Sequence, residues 1–381
     1  MSRAAPLLPA AAIGLLLADC CSRGGGAYTV REAPPPAPPS TLSEDEVARS
    51  VPRPLLRVLL LGDFGDRTCQ QRAVAGAVAA AHRRAPFDLG LHLGDNLYEC
   101  GPDAALPGAA ACAFARDGGA VIPGYRPPAD DRFRQLLEEP LAPLAEGPHP
   151  VPFYAALGNH DVATSGSCAS GPAAGAAALG RTKACLEVAH QGPLWRMPGR
   201  HYVLDRGPAR FVVLDGNLLA RDYGGFTLDD EVAFVREATR GCGERRCFVV
   251  AHQPAATAGS HVSDWKDGTY RERLRRVQEA FQGPIAAWLS GHDHDLQQLR
   301  APAGYDVFVS GNGSRQRARE RFHRTMPPDA RLLFASTAWG FATLEIFDDG
   351  WGVRFEDTSG VSLHCCRARG AGRCEPAGCW R

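Results

Sequence analysis

Short apolar runs that stop abruptly at a polar residue recur along this chain. Leu55–Leu61 ends in Gly62-Asp63, and Phe87–Leu93 ends in Gly94-Asp95. Pro152–Leu157 ends in Gly158-Asn159-His160-Asp161, Cys247–Ala251 ends in His252, and Ile285–Leu289 leads to Gly291-His292-Asp293-His294. Runs this short and bounded this way predict buried strands, with others at His201–Leu204, Arg210–Leu214, Tyr305–Val309, Ala342–Ile346 and Gly352–Phe355. Helical spacing is present at Cys69–Arg84, Asp131–Glu139, Leu228–Thr239 and Tyr270–Phe281. The alternation predicts an α/β fold of two central sheets flanked by helices. Loops beyond strand C-termini build the sites of such folds, so the polar residues above are expected to meet. Two segments break the plan, Cys100–Ala129 and Val162–Gly192. Both are rich in Gly, Ala and Pro, carry a cysteine pair each, and are expected as long loops, functional or disordered.

The chain has 381 residues, 45% apolar and 22% charged, with acidic and basic side chains in equal number. Those proportions exclude a disordered chain and a coiled-coil rod. Zero net charge removes the electrostatic basis for a nucleic-acid scaffold as partner. Arg3 precedes the apolar stretch Ala4–Ala18, which is too short for a membrane span and suits the apolar core of a signal peptide. Leu17-Ala18-Asp19-Cys20 resembles a bacterial lipobox, although Asp19 stands where a small residue is expected. Residues 1–21 are therefore expected as a signal peptide or lipoprotein signal, and the Gly/Pro-rich residues 22–53 as a linker. A membrane tether through lipidated Cys20 in the bacterial cell envelope (periplasm or outer surface) and plain secretion are the alternatives. Residues 54–357 are expected as the single catalytic domain and 358–381 as a Cys-rich tail.

Thirteen cysteines, read with an export signal, predict disulfides. If Cys20 is lipidated, the rest are even in number. Neighbouring pairs are expected: Cys100 with Cys112, Cys168 with Cys185, and Cys242 with Cys247. Cys365, Cys366, Cys374 and Cys379 cluster in the tail, where disulfides are preferred to a zinc site because no CxxC spacing is present.

Asp63, Asp95, Asn159, His252, His292 and His294 stand at the expected strand ends. Singly, each has an ordinary explanation: an Asp after a strand is commonly a turn or N-cap residue, and a lone histidine is commonly a core residue. Together, two carboxylates, one amide and three imidazoles exceed what one metal ion takes. They match a dinuclear metal centre with a shared carboxylate. Oxygen donors with imidazole suit iron, zinc or manganese rather than calcium. Tyr98 adds a phenolate, which favours ferric iron. Two close cations activate a water and clamp the oxygens of a phosphoryl transfer.

The blocks Gly62-Asp63-Phe64-Gly65, Gly94-Asp95-Asn96-Leu97-Tyr98, Gly158-Asn159-His160-Asp161, Val249-Val250-Ala251-His252 and Gly291-His292-Asp293-His294 stand in one order. In this the chain, over about Leu55–Asp357, resembles the calcineurin-like metallophosphoesterases, and within them the small purple acid phosphatases of the tartrate-resistant type. Tyr98, three residues after Asp95, is the specific mark. The resemblance implies a two-sheet sandwich flanked by helices. It implies Fe(III) held by Asp63, Asp95, Tyr98 and His294, and a divalent ion (Fe, Zn or Mn) held by Asp95, Asn159, His252 and His292. It implies hydrolysis of small-molecule phosphomonoesters by a metal-bound hydroxide, with His160 protonating the leaving group or binding phosphate. His261, nine residues after His252, falls where those enzymes place a second active-site histidine; a plain loop histidine is the other reading. The segment Gln253-Pro254-Ala255-Ala256-Thr257 lacks the aromatic residues usual in the animal enzymes, and the two Cys-bearing insertions and the tail are extra. These departures leave the substrate open, with a phosphodiesterase or nucleotide hydrolase as the enzymatic alternative and a non-catalytic surface binding protein as the other.

Overall fold

Strand positions in the computed structural model follow the apolar runs closely. The structure describes residues 27, 29–31, 53–123, 130–147, 150–169, 175–266, 268–317, 322, 324–370 and 372–380. The expected leader 1–21, with Cys20, and nearly all of the linker 22–53 lie outside the described residues. In chain order the strands are β1 (Thr29–Arg31), β2 (Leu56–Leu61), β3 (Leu89–His92), β4 (Ala113–Phe114), β5 (Ala120–Val121), β6 (Phe153–Ala155), β7 (Trp195–Arg196), β8 (Tyr202–Arg206), β9 (Ala209–Val213), β10 (Arg246–Val250), β11 (Ile285–Ser290), β12 (Leu296–Arg300), β13 (Asp306–Ser310), β14 (Arg331–Ser336), β15 (Gly340–Phe347), β16 (Gly350–Asp357), β17 (Ser362–Arg369) and β18 (Glu375–Pro376). The longer helices are α1 (Cys69–Arg84), α2 (Ala176–Ala189), α3 (Leu228–Ala238) and α4 (Thr269–Glu279). The stretch expected as a helix over Asp131–Glu139 is one helical turn, Asp131–Phe133, that widens into a π-helical stretch, Arg134–Glu138.

Two mixed eight-stranded sheets make the frame. One runs β18-β17-β16-β15-β2-β3-β6-β7, the other β1-β14-β12-β13-β11-β10-β9-β8. Each has a parallel centre, β2-β3-β6-β7 in the first and β13-β11-β10-β9 in the second. Side chains of a strand alternate between faces, and the second sheet shows it. Phe211, Phe248 and Phe308 join the core shared with the first sheet. Val212, Val249 and Val307 pack on the other side with Val235 of α3 and Leu274 of α4. All of β2 is buried, because a central strand with both faces covered needs apolar residues at every position.

Helix α1 begins where Thr68 Oγ1 accepts from the Gln71 amide, and it ends in His82, Arg83 and Arg84, which suit a helix C-terminus. Helix α3 is started by a capping box between Thr227 and Asp230. Helix α2 fills much of the segment expected as a loop. It is buried over most of its surface, so it lacks the apolar/polar alternation by which a surface helix is recognised.

The cysteines correct the local pairing. Cys100 bonds Cys168 and Cys112 bonds Cys185, so both bridges cross between the two insertions; Cys242–Cys247 is as expected. The reason is packing: α2 lies against the first insertion, with Leu179 and Leu186 on Ala104 and Ala109, and this brings Cys185 to Cys112. The residues after Asp357, expected as a tail, continue the first sheet through β17 and β18. Adjacent strand residues face opposite ways, so Cys365 bonds Cys379 while Cys366 bonds Cys374. Within the expected linker, Thr29–Arg31 pairs with β14 as an edge strand. Among the described residues no helix is long and apolar enough to cross a membrane. Five disulfides among the described residues are the usage of chains that fold in an oxidising, extracytoplasmic compartment.

Replacing both Cys112 and Cys185 by Ser is expected to lower the unfolding free energy by about 2–4 kcal/mol. A urea titration would show it as an earlier midpoint, and an unmoved midpoint would remove the bridge's structural role.

Candidate metal centre

The site lies where both sheets end. Asp63 follows β2, Asp95 and Tyr98 follow β3, and Asn159 follows β6, all from the first sheet. His252 follows β10, and His292 and His294 follow β11, from the second. Hydrogen bonds stitch the two rims together. The Gly62 amide donates to the Ser310 carbonyl at 2.8 Å, and the His292 amide donates to Asp63 Oδ2 at 2.8 Å. Among the described residues, only Asp63, Asp95 and His292 are non-glycine residues in the left-handed region, with φ of 54°, 53° and 72°. That conformation costs of order 1–3 kcal/mol at each position, and all three are candidate ligands.

The seven candidate ligands fall into two groups. In the first, Tyr98 Oη donates to Asp63 Oδ1 at 2.8 Å, and His294 Nε2 lies 3.3 Å from Tyr98 Oη and 3.4 Å from Asp63 Oδ1. In the second, His252 Nε2 lies 3.0 Å from Asn159 Oδ1, 3.1 Å from His292 Nδ1 and 3.4 Å from Asp95 Oδ1. Asp63, Asp95 and His252 bring ligand atoms within 4.8 Å of one another, which joins the groups.

The outer partners of the second group decide its chemistry. His252 Nδ1 lies 2.8 Å from the Leu93 carbonyl, which can only accept, so Nδ1 carries the hydrogen and Nε2 turns a lone pair inward. His292 Nε2 lies 3.0 Å from Asp264 Oδ2, so Nδ1 likewise turns a lone pair inward. Two lone pairs, an amide oxygen and a carboxylate oxygen then face one point, and only positive charge can satisfy them together. Electrostatics draw positive charge to the same point. Burial disfavours a proton on His252 Nε2, but the Asp95 and Asp63 carboxylates overcome this and raise the group to about 10, and a cation bound there would take that proton's place. Burial likewise disfavours the Asp95 carboxylate, yet His252 and its neighbours hold it well below the usual range. The donor set fits the cations.

Glycines give these groups room. A Cβ on Gly158 would lie 2.1 Å from the Asp95 amide nitrogen and 2.2 Å from Asp95 Oδ1. One on Gly94, at φ 89°, would lie 2.5 Å from His252 Nδ1.

Both candidate catalytic histidines reach the site. The His160 amide donates to Asp95 Oδ1 at 2.9 Å, and its Nδ1 donates to the Glu99 carbonyl at 2.8 Å, leaving Nε2 for a substrate. His160 packs edge-on against Tyr98, with ring centres 4.7 Å apart. His261 stacks on His292 at 3.6 Å and donates from Nδ1 to Asp293 Oδ1 at 2.9 Å. Burial lowers the basicity of His261, and Asp293 more than offsets it.

Sequence reasoning missed the residues that brace the ligand loops. Asn96, between Asp95 and Tyr98, donates from Nδ2 to Asp161 Oδ2 at 2.9 Å and to Glu187 Oε2 at 2.8 Å. Asp161 also accepts from the amides of Gly158, Asn96 and Leu97. Burial and the Asp95 charge raise Asp161 to about 6, and burial with Asp161 raises Glu187 well above the carboxylate range. Arg315 stacks 3.7 Å over the Tyr98 ring and pairs with Asp66 and Glu99. Glu187, Arg315 and Asp264 carry no signal in the sequence, because charged residues on a helix or loop ordinarily face solvent.

The calcineurin-like phosphoesterase family matches residues 56–296. The chain belongs to this family. Its members use a dinuclear metal centre, and the loops described above are where this chain would hold one. The tartrate-resistant acid phosphatase type 5 of Sus scrofa is 22% identical over 344 residues, covering 83% of this chain and 87% of that protein. The Homo sapiens protein of the same name is 22% identical over 338 residues, covering 81% and 90%. Among solved structures, the purple acid phosphatase PPD1 from yellow lupin (Lupinus luteus) seeds superposes with a TM-score of 0.54 at 16% identity, covering 84% of this chain and 54% of that one. GAP50, the anchor in the inner membrane complex of Plasmodium, superposes with a TM-score of 0.58 at 17% identity, covering 82% and 88%. At such identities these structures establish a shared fold.

Gly158→Ala is expected to displace Asp95 and cost about 1–3 kcal/mol through overpacking. Thermal unfolding and bound-metal analysis together test this; a variant with wild-type melting and full metal content would show that the Asp95 loop yields freely.

Proposed function

We propose that this chain hydrolyses phosphomonoesters at a centre of one ferric and one divalent ion (iron, zinc or manganese). Asp63, Asp95, Tyr98 and His294 would hold the ferric ion. Asp95, Asn159, His252 and His292 would hold the divalent ion, with Asp95 between them. The observation that carries the reading is the inward-facing acceptor cluster of His252, His292, Asn159 and Asp95 beside the Asp63–Tyr98–His294 group. The cation pair would acidify a water and neutralise charge on the phosphoryl oxygens. His160 holds its Nδ1 hydrogen on the Glu99 carbonyl, so Nε2 is the atom that would meet a leaving group. The Tyr98 hydroxyl faces Asp63 and His294, which supports a ligand role for it in the first group. The cysteine usage and the leader expected at 1–21 support an exported enzyme, in the bacterial envelope with Cys20 lipidated or secreted.

The decisive assay compares rates on a phosphomonoester with those on the matching diester. Monoester preference supports the reading, and faster diester cleavage replaces it with a phosphodiesterase. Tyr98→Phe is expected to abolish a visible charge-transfer band while iron remains bound; an iron-loaded wild type with no such band would remove Tyr98 from the ligand set. His160→Ala is expected to lower kcat by roughly 10²–10⁴-fold on alkyl phosphates and much less on aryl phosphates, whose leaving groups hardly need a proton. Equal losses on the two would leave His160 as a phosphate-binding residue only.

A further inference from the structure

Asp264 touches neither of the points on which the two ligand groups converge, yet it is placed with care. It lies on the short 3-10 helix Ser260–Trp265, in the same loop that begins with His252 and carries His261. Trp265, next in the chain, is 3% exposed and packs on Tyr270 with ring centres 5.0 Å apart, so the turn is anchored from below. The Asp264 side chain is 37% exposed while that of His292 is 9% exposed; the carboxylate therefore reaches from the rim down to a buried ring. Its Oδ2 stands 3.0 Å from His292 Nε2. His261 covers one face of the same ring at 3.6 Å, tilted by 22°. The His292 ring is thus held at its edge by Asp264 and across its face by His261.

We propose that Asp264 is a positioning residue for the divalent ion, acting through His292. The proposal rests on the two-cation reading above. An imidazole has two tautomers, and only the one with hydrogen on Nε2 turns the Nδ1 lone pair toward His252 Nε2, 3.1 Å away. A carboxylate on Nε2 selects that tautomer, fixes the ring's rotation and makes Nδ1 a stronger donor. His252 is oriented differently, by the neutral carbonyl of Leu93. The two imidazoles of one cation site thus have unlike supports, one neutral and buried, the other anionic and at the rim. Nothing comparable links Asp264 to Asp63, Tyr98 or His294, so its influence falls on one ion of the pair.

The test uses the full chain as wild type, D264N and D264A, each loaded with iron and zinc. Zinc and iron contents are measured after equilibration with graded concentrations of a chelator, alongside the visible spectrum. D264A is expected to weaken zinc retention about 10–100-fold with iron and the visible spectrum unchanged. D264N keeps an acceptor oxygen without the charge and is expected to fall between. Retention of zinc by both variants at the wild-type level overturns the proposal, as does parallel loss of both metals. Metal-free D264N and D264A are expected to melt with metal-free wild type, since the side chain is at the rim; zinc loss accompanied by a lower melting temperature in both variants would make the role structural and overturn it too. A wild type that binds no second ion at all sinks the two-cation reading itself, which is a different result from zinc binding that ignores Asp264.

Discussion

Two carboxylates, Asp63 and Asp95, are buried to exclusion of solvent within reach of one imidazole, His252. Buried charge of one sign is unstable unless opposite charge meets it. The surrounding architecture follows from that demand. The strand ends are bent into left-handed turns to bring Asp63, Asp95 and His292 together. Glycines at 94 and 158 keep the approach open. Backbone amides of His160 and His292 donate to the same carboxylates. Each device would be a cost in isolation, and together they hold a concentrated negative site that positive charge completes.

Around this centre lies a less visible support. Asn96 sits between two candidate ligands and is gripped by Asp161 and Glu187. Glu187 belongs to α2, an element of the second insertion, so the insertion is part of the frame of the site as well as its surroundings. The Cys100–Cys168 bridge acts at the same place, since Cys168 Sγ lies 3.7 Å from the Glu99 carbonyl that orients His160. The two Cys-bearing insertions therefore position groups of the site that they surround.

Much of this was legible before any coordinates. The central parallel strands read clearly because both their faces are covered, which forces continuous apolar runs such as Leu56–Leu61. The site residues read clearly because each follows such a run. Strands β12 and β17 were illegible for the converse reason. Gln297, Gln298 and His364 are buried yet polar, satisfied by partners distant in sequence: the Ala258 amide donates to Gln297, and His364 pairs with Gln298. No local pattern announces such a strand. Two of the three expected neighbouring disulfides failed similarly: nearness along the chain suggested Cys100 with Cys112 and Cys168 with Cys185, whereas α2, itself unrecognised, set the spatial neighbours. Asp264 and Glu187 could not be found at all, because an acidic residue looks the same whether it orients a ring, braces an amide or faces water.

The two sheets contribute to the centre separately: the first supplies Asp63, Asp95, Tyr98 and Asn159, the second His252, His292 and His294. Neither half contains the full proposed ligand set for either cation. A bound ion pair would therefore act as a clasp at the open end of the sandwich, with the shared apolar core as its hinge. Ions could be captured tightly only after the sheets had docked in register. Without the ions the rims would still be joined by hydrogen bonds such as Gly62–Ser310 and His292–Asp63, with the aromatic interior of Phe211, Phe248 and Phe308 closed behind them.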